Sequence, residues 1–100
     1  MRIIFKRTSY ACPEQYDAVD ENGTIIAYLR LRGGCFAVYC PNSRGDMVYA
    51  THPKGDGLFK KSERYFYLAM AKLKIGKYYK NHPLPNPRNE TIEELLEGME

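Results

Sequence analysis

Hydrophobic and polar positions alternate along the first half of the chain and recur at helical spacing along the second. Residues 2–8 (R-I-I-F-K-R-T) are β-branched and aromatic and predict a strand. Residues 9–14, with Cys12-Pro13, predict a loop, and 15–19 a second strand. Asp20-Glu21-Asn22-Gly23 predicts a turn, because Asn-Gly supplies positive φ at a hairpin tip. Residues 24–32 predict the central strand and 35–40 its hairpin partner across Gly33-Gly34. A polar loop at 41–46 then leads to a further strand at 47–51. The result is an antiparallel meander of four or five strands.

Alternation divides the central strand into two faces. Ile25, Ala27, Leu29 and Leu31 fall on one side; Thr24, Ile26, Tyr28, Arg30 and Arg32 fall on the other. The first side predicts a core face and the second an open face bearing tyrosine and arginine.

After a Pro/Gly loop at 52–58 the period changes. Ser62 is placed to cap a helix from Glu63 to about Tyr79. Tyr67, Leu68, Ala71, Ile75 and Tyr78 form a stripe for packing on the sheet. Tyr65, Phe66, Ala69, Met70 and Leu73 form a second apolar arc, which calls for another partner. Three prolines in 81–89 predict an extended linker. Thr91 and Glu94 then form a capping box, and Ile92, Leu95, Leu96 and Met99 follow at amphipathic spacing. The expected fold is α+β. A single domain at 1–80 has one long helix packed on one face of the sheet. A linker at 81–89 and a short acidic amphipathic helix at 90–100 follow it. That helix is too short to be stable alone in water. Its apolar face is expected near Phe66, Met70 and Leu73, within one chain or exchanged in a homodimer.

Charge sharpens this division. The chain has 100 residues and a net charge of +3. All fifteen Lys and Arg, against seven acids, lie in 1–89, whereas 90–100 holds five glutamates and no base. An acidic tail following a basic body is expected to pair with that body or with a partner. Nine tyrosines without a tryptophan give many half-exposed aromatics, as binding surfaces have. Three cysteines (Cys12, Cys35, Cys40) argue against a disulfide framework and for a reducing compartment. The start of the chain has no apolar run of signal-peptide length and nothing approaches a membrane span, so a cytoplasmic protein without membrane contact is expected.

Two groups of residues carry binding chemistry. The first is the sheet face of Tyr28, Arg30 and Arg32, with Tyr39 and Tyr49 on neighbouring strands. Arginine pairs with phosphate and tyrosine stacks on bases, a combination sheet-based nucleic-acid readers use. The same residue types also suit any exposed strand face. The second is the helix region of Lys60, Lys61, Arg64, Lys72, Lys74, Lys77 and Lys80, opposed only by Glu63. These bases are placed to follow a phosphate backbone or to meet the acidic tail.

No catalytic residue, metal or cofactor is expected. Both histidines precede prolines, there is no Cys-x-x-Cys, and no nucleophile elbow or phosphate-cradling Gly-Lys loop occurs. A Cys35–His52 thiol–imidazole pair depends on proximity that spacing does not give. Arg44-Gly45-Asp46 is better read as turn chemistry than as an adhesion motif.

C-P-E-Q-Y-D at 12–17, Y-L-R-L-R at 28–32, V-Y at 48–49, P-K-G-D-G at 53–57 and E-R at 63–64 resemble a family of small bacterial and phage proteins without an assigned activity. The resemblance covers about residues 10–75 and implies a mobile-element origin, where small binders and inhibitors are common; it transfers no functional residue. The leading expectation is a non-enzymatic binding module whose partner is nucleic acid or an acidic protein surface. The alternative is a protein-interaction or inhibitor protein using Phe66, Met70 and Leu73 with Ile92, Leu95, Leu96 and Met99.

Overall fold

A computed structural model of the chain describes residues 1–10, 13–53 and 59–85. Five strands, β1 (Ile4–Ser9), β2 (Glu14–Val19), β3 (Ile25–Arg32), β4 (Cys35–Cys40) and β5 (Asp46–Thr51), precede one helix, α1 (Lys61–Asn81). The strands form one antiparallel sheet in the order β1-β2-β3-β4-β5. The expected α+β meander with one long helix is therefore present. The amphipathic helix predicted beyond residue 90, and with it Ile92, Leu95, Leu96 and Met99, lies outside the described residues.

The β3–β4 connection shows how the sequence sets the register. Gly33 and Gly34 have φ of 58° and 76°. Two successive positive-φ residues form the tight hairpin turn whose twist matches that of the strands. Arg32 is thereby paired with Cys35, and Tyr28 with Tyr39. The β4–β5 turn is tight for another reason. A Cβ on Gly45 would lie 2.0 Å from the Cys40 carbonyl oxygen, so this turn excludes every side chain. The amide of Gly45 donates to the Asn42 carbonyl, and that of Arg44 to the Asn42 side chain. The Arg-Gly-Asp triplet is accounted for by this turn.

Strict alternation fails at one place. Ala18 pairs with Ala27 and Val19 with Ile25, leaving Ile26 as an extra residue in β3. This bulge inverts the predicted facing of the strand's first residues: Ile26 is fully buried, whereas Ile25 is 48% exposed. From Ala27 to Arg32 the predicted alternation holds, and Leu29 and Leu31 are fully buried.

The helix begins two residues before its predicted start. Lys60, not Ser62, is the N-cap; its amide donates to the Glu63 carboxylate, and its carbonyl accepts from the Glu63 and Arg64 amides. Ala71 and Ile75 are fully buried, with Tyr67, Leu68, Tyr78 and Tyr79 packed around the core. Phe36 lies at the centre of an aromatic cluster, 4.9 Å from Phe59 and 6.1 Å from Tyr67 between ring centroids. Five strands spaced about 4.8 Å apart make a face about 19 Å wide, whereas a helix is about 10 Å across. α1 packs over β4 and β5 and so covers only part of its face.

Candidate nucleic-acid interface

The sheet face away from α1 is built by register. A row across all five strands reads Lys6, Asp17, Tyr28, Tyr39, Met47. The next row carries Gln15, Arg30, Ala37 and Ala50, and Arg32 follows opposite Cys35. The Tyr28 and Tyr39 rings are cross-strand neighbours with centroids 6.3 Å apart and planes tilted by 32°. Arg32 and Lys6 are exposed, and Tyr28, Arg30 and Tyr39 are half-buried. Lys6, Arg30 and Arg32 have no acidic partner at ion-pair distance among the described residues. Ile25 and Met47, both largely exposed, border the aromatic pair. This face offers two adjacent aromatic rings amid three uncommitted cations, with Asp17 the one acid in the tyrosine row.

The other predicted binding residues are not brought to this face. Tyr49 is opposite Val38 and lies on the helix side, where its ring meets Phe36 and the Lys74 ammonium. Lys72 and Lys77 are exposed on the flank of α1 and line a groove on that side of the sheet. The tyrosine–arginine face and the lysine-rich helix are thus two separate surfaces. Of the predicted partner-binding residues, Phe66 is 58% and Leu73 67% exposed, while Met70 is half-buried.

Arg64, counted among the helix bases, is committed elsewhere. Its Nε and Nη2 donate to the two Glu14 oxygens at 2.8 and 3.1 Å. The Phe59 amide (3.1 Å) and the Tyr16 hydroxyl donate to the same carboxylate, and Arg7 lies 3.4 Å away. Glu14 is 1% exposed. Burial alone would raise its pKa, but Arg64, Tyr16 and the Phe59 amide together hold it below the ordinary carboxylate value. Burial and the adjacent carboxylate push the Tyr16 hydroxyl up to about 12, so it remains a donor. A carboxylate with its oxygens occupied in this way is an anchor between β2 and α1, not a base. Glu14 was expected in a loop; its signal in the sequence is a carboxylate two residues before Tyr16, in phase with the strand's inward positions.

Elsewhere, burial pushes the Cys40 thiol up to about 11, which keeps it protonated. Cys35 and His52 flank the paired residues Phe36 and Thr51, yet no hydrogen bond joins them. Among the described residues no three His, Cys, Asp or Glu side chains are grouped to hold a metal ion. No helix among them is long and apolar enough to cross a membrane. Compared with known proteins, the chain matches no family model, no curated protein and no solved structure.

Proposed function

We propose that this protein is a non-enzymatic module that binds single-stranded nucleic acid on the sheet face away from α1. The observation that carries this reading is the Tyr28–Tyr39 pair set among Lys6, Arg30 and Arg32 on the face away from the one described helix. Aromatic rings on a strand surface stack on bases, and neighbouring cations hold the phosphates without reading sequence. Three neutralised phosphates on a single strand give a salt slope of about −2, so a fourfold rise in salt should weaken binding about 20-fold. Tyr28→Ala and Tyr39→Ala should each cost about 1–3 kcal/mol of affinity. Arg30→Ala and Arg32→Ala should each weaken binding and flatten the salt slope.

The test is anisotropy titration of labelled single-stranded DNA and RNA oligonucleotides at low and physiological salt. No binding at low salt, or binding that these four variants leave unchanged, would sink the reading. A second reading, a protein partner on α1, is favoured by the exposure of Tyr65 (73%), Phe66 and Leu73 along one side of the helix. Retention of one protein in a pull-down after nuclease treatment would select it.

A further inference from the structure

The helix side of the molecule holds a groove. Its volume is about 780 Å³, and it runs between the start of the chain and the C-terminal half of α1. Met1, Ile3, Leu73 and Leu84 line it with apolar surface, and Lys72, Lys77 and Lys80 stand along it. None of the three lysines has an acidic partner among the described residues. Leu73 and Leu84 are 67% and 45% exposed, so this is apolar surface that no described residue covers.

We propose that the groove seats the chain's own C-terminal segment, residues 91–99, as a helix docked in cis. Four observations converge on that occupant. Leu84 lines the groove, so the chain leaves the described residues at the groove's edge, and residues 86–100 follow. Those residues contain Ile92, Leu95, Leu96 and Met99 at amphipathic spacing, with glutamates at 90, 93, 94, 97 and 100 between and beside them. An acidic amphipathic helix matches an apolar trough edged with lysine. The lengths also agree. Leu73 to Lys80 spans about 10 Å of helix axis and a nine-residue helix about 13 Å. The five residues between Pro85 and Thr91 reach at least 15 Å, enough to reverse direction.

Gly76 is the fourth observation. It lies in the middle of α1 and on the groove wall, and a Cβ there would meet nothing within 4 Å. A glycine inside a helix costs stability relative to alanine, and no described neighbour requires one here. Close approach of a second helix gives it a reason. The tail had been expected near Phe66, Met70 and Leu73; the groove shares Leu73 alone and lies farther along α1. This proposal is independent of the sheet-face reading, since it concerns the opposite side of the sheet.

Hydrogen exchange on the full chain tests it. Amides of 92–99 and of 72–80 should exchange about tenfold or more slowly in the wild type than in the Leu95→Glu/Leu96→Glu variant. Protection in β2–β4 should be unchanged, which reports that the variant still folds. Leu73→Glu, an exposed substitution on the groove side, should release the tail equally. Raising salt should weaken protection in 92–99. Protection of 92–99 that survives both variants would overturn the seat. Exchange there at the rate of an unstructured peptide would overturn docking. Protection that disappears on dilution, with a dimer seen by light scattering, would overturn docking in cis in favour of a second copy.

Discussion

The two ends of α1 are held to the sheet by different chemistry. At its N-terminal end Arg64 makes a forked ion pair with a buried carboxylate, and Phe59 stacks on Tyr67 with ring centroids 5.4 Å apart. At its C-terminal end there is no ion pair among the described residues. Tyr79 donates to the Ile26 carbonyl at 2.5 Å, and Tyr78 donates to Asp46 at 3.2 Å. The first end is an electrostatic lock that fails if one partner goes. The second is a set of hydroxyl bonds that can be lost singly, beside a groove that remains open. The difference explains how a domain with a single described helix can be firm at one end and still leave an open groove at the other.

The comparison predicts its largest effect at Arg64. Arg64→Ala leaves the Glu14 carboxylate buried with Arg7 as its nearest remaining cation. Removing one partner of a buried pair costs about 3–5 kcal/mol. Arg64 keeps some exposure, so the lower end, about 3 kcal/mol by urea denaturation, is expected here. Arg64→Lys should recover only part of this, because an ammonium cannot make the fork. A loss for Arg64→Ala no larger than for a surface lysine would remove the distinction between the two ends.

The same lock has a pH signature. Glu14 has a folded-state pKa below its ordinary value of 4.5. Its contribution is therefore complete above about pH 5 and is lost as pH falls through the folded value. Stability should decline from about pH 5 toward pH 2, and Glu14→Gln should flatten that decline while lowering stability at neutral pH. Tyr16 behaves oppositely: with its pKa raised from 10 to about 12, its contribution is complete below pH 10 and fades above it. Denaturation midpoints measured across pH in the wild type, Glu14→Gln and Tyr16→Phe check these signs.

The lock was not legible in the sequence, although its parts were. Glu14 and Arg64 are fifty residues apart, and neither periodicity nor propensity couples positions at that distance. Alternation did predict the core positions Leu29 and Leu31, because one-sided burial of a strand imposes a period of two. It failed at Ile25 and Ile26, because a bulge inserts one residue and reverses the facing of those before it. The tyrosine–arginine face was legible for the same reason as the core: it is the other half of the same alternation. Tyr49 was misassigned because its facing depends on a register shift between β4 and β5 that the loop sequence does not specify. The groove was not readable at all, since it forms between Met1 and Ile3 at one end of the sequence and α1 at the other, positions that no local pattern couples.

At the C-terminal end the bulge itself provides a test. The extra residue of a bulge drops out of the ladder, and the Ile26 carbonyl is bonded by Tyr79 instead. Tyr79→Phe removes that part-buried donor to the fully buried Ile26 and should cost about 1–2 kcal/mol. Tyr78→Phe removes an exposed bond to Asp46 and should change stability by less than about 0.5 kcal/mol. If the two losses are equal in thermal unfolding, the Ile26 bond has no special weight, and this end rests on packing alone.

The smallest expected effect decides whether the groove is empty. Gly76 has ordinary helical geometry and open space where a Cβ would go. With no neighbour, Gly76→Ala should stabilise α1 by about 0.5–1 kcal/mol, raising Tm by a few degrees. With residues 91–99 seated in the groove, the added methyl lies between two helices and opposes that gain. The informative quantity is therefore a difference. Gly76→Ala should stabilise the Leu95→Glu/Leu96→Glu chain by its full helical amount and the otherwise wild-type chain by about 0.5 kcal/mol less. Equal gains in both backgrounds would mean that nothing approaches Gly76 closely. A larger gain with the tail intact would mean that the methyl completes the groove wall, placing the docked helix farther from α1 than a small-residue contact implies.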